Sequence, residues 1–225
     1  MRTPDYPSAD AERWEAVDSY FASLLVPPDE TLDSTLAANA AGGLPIHDVS
    51  ALQGKMLALY VRMCRAARVL EIGTLGAYSS IWMARALPEG GELISLEVDP
   101  VHAEIARGNV ERAGLSHCVT ILTGVALDIL PTLTGHFDLI FIDADKPNNP
   151  AYLDWALRLS RRGSVIIGDN VVRGGAVIDA ASDDDRVLGV RSFVQMMADD
   201  PRIDATAIQT VGEKGWDGFT LAIVR

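Results

Sequence analysis

From Arg68 onward, short aliphatic or β-branched runs alternate with longer stretches in which apolar residues recur every three or four positions. The short runs predict five strands, at Val69–Ile72, Leu93–Leu96, Val119–Leu122, Leu139–Ile142 and Ser164–Ile167. Helices are predicted between them near Ser79–Leu87, Pro100–Ala113, Ala126–Leu130 and Tyr152–Leu159, with another near Val187–Ala198. Two last apolar runs, Ala205–Val211 and Phe219–Val224, flank a Gly212–Gly218 segment that reads as a hairpin turn. Alternation of this kind builds a parallel sheet with crossover helices. The expected fold is therefore an open α/β sheet of seven strands, mostly parallel, antiparallel at its C-terminal end, with helices on both faces.

Ahead of the sheet, Trp14, Val17, Tyr20, Phe21 and Leu24 mark a helix over about Ala11–Leu25 that the Pro27-Pro28 pair ends. Leu52, Met56, Leu57, Tyr60 and Met63 mark a second over about Ser50–Arg65. The chain thus divides into an N-terminal helical extension, residues 1–44, and a main domain, residues 45–225.

Composition narrows the function. With 225 residues, 48% of them hydrophobic, the chain buries a core without needing disulfides or a metal to fold. Its net charge of −12 repels phosphate backbones and anionic lipid, so neither nucleic acid nor a membrane surface is an expected partner. No apolar run reaches the roughly 18 residues of a spanning helix, and the polar stretch Met1–Asp10 has no signal-peptide core. A cytoplasmic protein is expected. Cys64 and Cys118 lack metal-ligand spacing and read as buried free thiols. Asp183-Asp184-Asp185 reads as a solvated loop or helix start.

In open α/β sheets, ligands bind beyond the carboxyl ends of the strands where strand order reverses. The first strand runs into Gly73-Thr74-Leu75-Gly76, whose spacing is not the G-x-G-x-x-G of dinucleotide enzymes. The second ends in Glu97, 24 residues beyond Gly73, where a carboxylate can accept hydrogen bonds from both ribose hydroxyls. Small residues after the third strand, Gly124-Val125-Ala126, can flank a base. The fourth and fifth strands lead into Asp143-Ala144-Asp145-Lys146 and Gly168-Asp169-Asn170. Asp143, Asp169 and Asn170 offer oxygen donors that suit Mg²⁺, although Asp-Asn is equally a turn-forming pair.

Taken together, Val69-Leu70-Glu71-Ile72-Gly73-Thr74, Tyr78-Ser79, Leu96-Glu97, the Asp143–Lys146 run, Gly168-Asp169-Asn170-Val171 and the terminal Gly215-Trp216-Asp217-Gly218-Phe219 resemble one family. It is the cation-dependent class I O-methyltransferases that use S-adenosylmethionine, the catechol and caffeoyl-CoA enzymes. The resemblance covers about residues 45–225 and implies a Rossmann-like methyltransferase fold. It implies that Glu71, Gly73, Thr74 and Ser79 line the methionine half of the cofactor, with Glu97 on the ribose and Ala126 beside the adenine. Val49 would contact the cofactor from above, and Asp143 and Asp145 would lie near it. Asp143, Asp169 and Asn170 would hold a divalent cation, Mg²⁺ foremost, and Lys146 would be the general base, with Asp143 sharing the catalytic centre. The family is commonly dimeric, and the apolar N-terminal helix adds to the expectation of a homodimer.

The family usually has glycine where Ala77 stands; here the glycine comes one place earlier, at Gly76. Asp145 occupies the place of the aromatic gatekeeper of animal catechol enzymes. The expected reaction is methyl transfer to a hydroxyl of a vicinal-dihydroxy aromatic acceptor chelated by the cation. Two other readings share the sheet. A nicotinamide dehydrogenase lacks its glycine fingerprint here, and a non-catalytic scaffold has no reason to keep Lys146 and the carboxylates. Asn148, Asn149, Arg173 and His47 fall near the acceptor pocket by position, while His102, His117 and His136 are scattered.

Overall fold

The computed structural model describes residues 8–225; the start of the chain, Met1–Pro7, with its expected proline-rich polar character, lies outside the described residues. Five parallel strands follow one another: β1 (Arg68–Ile72), β2 (Glu92–Glu97), β3 (Val119–Thr123), β4 (Phe137–Ile142) and β5 (Ser160–Asp169). β6 (Ile203–Gly212) and β7 (Gly215–Val224) complete one sheet in the order β3-β2-β1-β4-β5-β7-β6. β7 is antiparallel to both β5 and β6, so it alone runs against the other six, the antiparallel C-terminal strand that the sequence predicts. The turn joining β6 to β7 is Glu213-Lys214 only; Gly215–Gly218, expected in the turn, pairs with β6 because Val211 and Trp216 continue the ladder.

Side chains alternate across the sheet, and both faces are covered, which explains the continuous apolar runs. Val69, Leu93, Leu139, Phe141 and Ile167 point to one face, against α3 (Ala51–Met63), α4 (Tyr78–Ala84) and α5 (Pro100–Arg112). Leu70, Ile72, Ile140, Ile142 and Ile166 point to the other, against α7 (Asn149–Arg158) and α8 (Asp185–Asp199). Most of these side chains are fully buried, and each stabilises the fold by about 1.5–3 kcal/mol. A short helix, Ala126–Ile129, follows β3.

Helix starts are written in the sequence. Ser50 and Gln53 form a capping box that opens α3, with Ser50 Oγ accepting from Gln53 N at 3.1 Å and Gln53 Oε1 from Ser50 N at 3.0 Å. Asp99 caps α5, and Asp184 caps α8, which places the Asp183–Asp185 run at a helix start.

α1 (Ala11–Leu25) forms as expected but buries no side chain; Tyr20, Leu24 and Leu25 are exposed. Between it and α3 stands a helix that the apolar pattern misses, α2 (Glu30–Ala41), capped by Asp29. Its buried face carries Leu32, Thr35 and Asn39, a single large apolar residue, so no hydrophobic stripe announces it. Cys64 and Cys118 are free but half-buried rather than buried. Among the described residues, no helix is long and apolar enough to cross a membrane.

Candidate active site

Strand order reverses between β1 and β4, and a cavity of about 870 Å³ opens there above the carboxyl ends of the strands. Its floor begins at Gly73, where β1 ends. Gly73 has φ 98°, and a Cβ on it would lie 2.2 Å from the Asp143 carbonyl oxygen, so only glycine lets β1 and β4 end so close together.

Glu71 sits one layer lower than expected. It has no exposed surface and does not line the cavity, because its position in β1 turns its carboxyl into a layer of hydroxyls. Ser79 Oγ donates to it at 2.5 Å and Ser95 Oγ at 2.7 Å, and Ser80 donates as well. Burial pushes its carboxyl up to about 7 against the opposing pull of the three hydroxyls, with the charge of Asp143 adding to the rise. Glu71 thus meets the cavity through Ser79, which lines it.

Thr74 lines the floor, with Oγ1 2.5 Å from Ser95 Oγ. At the end of β2, Glu97 is 6% exposed and faces the cavity. Its Oε2 accepts from Thr74 N at 3.3 Å and Leu75 N at 2.7 Å, and its Oε1 from Asp99 N at 3.0 Å. A carboxylate held this way is fixed in direction, and with three of its about four acceptor sites used it keeps one, on Oε1, for a further hydroxyl. Ala126 lines the wall beyond Gly124 and Val125, and Val49 covers the cavity from the opposite side.

At the far end, Lys146 is buried, and its Nζ donates to Asp143 Oδ1 at 3.1 Å across a short 3₁₀ turn. Its ion-pair partner is Asp143, not the adjacent Asp145, whose carboxylate accepts from Tyr152 Oη at 2.5 Å and Asn148 Nδ2 at 2.6 Å. Asp169 is buried beside them, accepting from Asn170 N at 2.8 Å. Its carboxyl is pushed up to about 7, first by burial and then by the charge of Asp143, with Lys146 acting the other way. Asn170 takes the left-handed conformation, φ 55°, that asparagine tolerates, and lines the cavity next to Asp169.

Asp143, Asp169 and Asn170 line this end of the cavity together with Lys146, whose ammonium is bonded to Asp143. The three donors are all oxygen, and burial with the charge of Asp143 raises the Asp169 carboxyl; a hard divalent cation fits an all-oxygen set with two carboxylates. Among the described residues, no three His, Cys, Asp or Glu side chains gather as a metal site, so such an ion would rely on Asn170 as its third protein ligand.

Of the other expected residues, His47, Asn148 and Arg173 line the cavity, whereas Asn149 does not: it has no exposed surface, because α7 starts there and turns it inward. Three contributors went unread in the sequence. His102 lines the cavity with Nδ1 3.8 Å from Glu97 Oε1. Tyr152 secures Asp145. Asp217 Oδ1 accepts from Val172 N, Arg173 N and Gly218 N at 3.0–3.1 Å, and so pins the loop that follows Asn170. The hairpin turn gave Asp217 no distinguishing signal, whereas His102 lies on the helix that Glu97 introduces.

Fold and cavity together define a Rossmann-like α/β protein with its ligand site where strand order reverses. The sequence model of the O-methyltransferase family matches residues 29–224, and the chain belongs to that family. It is 55% identical over 210 residues to a catechol O-methyltransferase of Mycobacterium tuberculosis, covering 93% of this chain and 95% of that one. It is 50% identical over 216 residues to a catechol O-methyltransferase of Niastella koreensis, covering 94% and 98%. The structure of an O-methyltransferase from Bacillus cereus in complex with SAH superposes with a TM-score of 0.95 at 55% identity, covering 96% of this chain and 100% of that one. The chain is accordingly an O-methyltransferase dependent on S-adenosylmethionine.

Proposed function

We propose that the protein transfers the methyl group of S-adenosylmethionine to one hydroxyl of a vicinal-dihydroxy aromatic acceptor, with Mg²⁺ held by Asp143, Asp169 and Asn170. The observation that carries this reading is the continuity of one cavity, from Thr74, Ser79 and Glu97 at one end to Lys146 and the carboxylates at the other.

In this reading, Gly73, Thr74 and Ser79 seat the methionine half of the cofactor, with Glu71 orienting Ser79 from below. Glu97 accepts from a ribose hydroxyl, Ala126 flanks the adenine, and Val49 and Asp145 bound the site from either side. A bound divalent cation supplies two things, a lowered acceptor hydroxyl pKa and a fixed orientation for two adjacent oxygens. As the neutral amine, with its own proton already lost, Lys146 Nζ, kept in place by Asp143, would be the group positioned to receive the acceptor proton.

The segment ahead of Pro45 caps the acceptor end. Asp18 on α1 lines the cavity and accepts from Glu213 N at 2.9 Å, which ties α1 to the β6–β7 turn. The exposed apolar side chains of α1 support a homodimer, for which light scattering in solution is the check.

The deciding experiment is methyl transfer to simple catechol, read as SAH formed, with Mg²⁺ and then with excess chelator. Turnover abolished by chelator and restored by Mg²⁺ is the expected result. Turnover that survives the chelator removes the cation from Asp143, Asp169 and Asn170. No turnover on catechol, while SAH still binds, would overturn the acceptor assignment.

A further inference from the structure

The turn between β1 and α4 is conformationally costly. Leu75 and Ala77 both take left-handed backbone angles, φ 51° and 66°, although neither is glycine. Something must hold it. On the cavity side Glu97 does so, through Thr74 N and Leu75 N. On the outer side a chain of three polar side chains does. Asn109 Nδ2, on α5, donates to the Gly76 carbonyl at 2.8 Å and to Asn39 Oδ1 at 2.8 Å. Asn39 Nδ2, on α2, donates to Asp48 Oδ1 at 2.9 Å.

Asn39 is 3% exposed and Asn109 fully buried, so these bonds are shielded from competing water. The orientation of the Asn39 carboxamide follows from its neighbours: its oxygen meets a donor that already serves the Gly76 carbonyl, and its nitrogen meets a carboxylate. The carboxamide also lies against the turn itself. A Cβ on Gly76 would come within 1.9 Å of Asn39 Oδ1. This close approach explains why glycine stands at 76 while Ala77 carries the left-handed angle. Asp48, the last member of the chain, lines the cavity beside Val49, and its carbonyl accepts from Lys214 Nζ at the β6–β7 turn.

We propose that Asn39 is a positioning residue of the cofactor site, setting the floor turn Thr74–Tyr78 and the covering loop His47–Ser50 as one unit. The proposal rests on reading Gly73–Ser79 and Glu97 as the cofactor site. Asn39 does not itself line the cavity, and its bonds run to Asp48 and Asn109, beside the Gly76 turn and not to Asp143, Lys146, Asp169 or Asn170, so its effect falls on cofactor affinity and not on the transfer step.

The test uses the full-length protein and SAH as the probe. In Asn39→Ala, the SAH Kd by calorimetry and the KM for S-adenosylmethionine should each rise about tenfold or more, while kcat at saturating cofactor stays within about twofold. Because Asn39 and Gly76 act on one contact, Gly76→Ala should lose affinity in the wild-type background and lose far less when added to Asn39→Ala. An unchanged SAH Kd in folded Asn39→Ala, or additive losses in the pair, overturns the proposal. If Asn39→Ala does not fold, hydrogen exchange on the wild-type protein decides: SAH should slow exchange in the Leu75–Tyr78 turn and around Asn39 together, and protection confined to the turn is the contrary result. Glu97→Ala separates this from failure of the underlying reading, since retained SAH affinity there would dislodge the cofactor site itself.

Discussion

Lys146 Nζ lies 3.1 Å from Asp143 Oδ1, while Asp145, its neighbour in sequence, is turned away to Tyr152 and Asn148. The Asp-Ala-Asp-Lys run is thereby split into two functions: one aspartate serves the lysine, the other is secured to α7. Lys146→Met keeps the length of the side chain and removes the ammonium. The kcat should fall by about 10²–10⁴, the usual weight of a positioned acid or base, with the SAH Kd nearly unchanged. Full activity in this variant, measured in steady state at saturating Mg²⁺, would leave the cation alone to account for deprotonation.

Asp169→Ala removes a proposed ligand and one of two crowded carboxylates. The Mg²⁺ concentration for half-maximal activity should rise by about two orders of magnitude, matched by a weaker response in a direct titration with Mn²⁺. The apo protein, relieved of a buried carboxyl, should not lose stability to urea in proportion. An unaltered Mg²⁺ dependence would rule Asp169 out as a ligand.

Glu71 gives the stability of the apo protein a pH dependence of definite sign. Its carboxyl titrates at about 7 in the folded chain against an ordinary value of 4.5. The stabilisation from its bound proton is complete below 4.5 and is lost as pH rises through 7, on the order of 3 kcal/mol in total. Urea unfolding at pH 5 and pH 8, with chelator and without cofactor, should show wild type losing more stability than Glu71→Gln over that interval. Asp169 shifts in the same direction and remains in both proteins, so the difference isolates Glu71. Equal losses would mean that Glu71 is already ionised at pH 5.

Gly73→Ala combines a left-handed backbone with a Cβ 2.2 Å from the Asp143 carbonyl oxygen. The variant should lose about 2 kcal/mol or more of stability and, because the ends of β1 and β4 must part, most of its SAH affinity. The urea midpoint and a SAH titration read the two effects separately.

The sheet was legible because strands covered on both faces become unbroken aliphatic runs, as at Leu139–Ile142. The polar residues that the strand ends bring to the cavity were legible because several such side chains close successive strands: Glu97, Asp143 and Lys146, Asp169 and Asn170. α2 was not, since its buried side includes Thr35, which bonds back to the Thr31 carbonyl, and Asn39, whose value lies in hydrogen bonds with Asp48 and the distant Asn109. The family resemblance implies Glu71 on the floor; which layer it occupies depends on Ser79, Ser80 and Ser95, brought together only by the fold. Asp217 could not be told from an ordinary turn aspartate until its three backbone donors were in place.

The insertion of β7 between β5 and β6 sets a timetable for synthesis. β5 and β6 both leave the ribosome before the strand that must separate them, so β5 keeps an open edge until Gly215–Val224 emerges. Asp217 arrives with that strand, and with it the anchor of the loop after Asn170. The half of the cavity made from β1, β2 and β3, the proposed cofactor end, can mature early, whereas the end that holds Asp169 and Asn170 is completed among the last. A nascent chain stalled before Gly215 should therefore bind SAH before it can methylate anything.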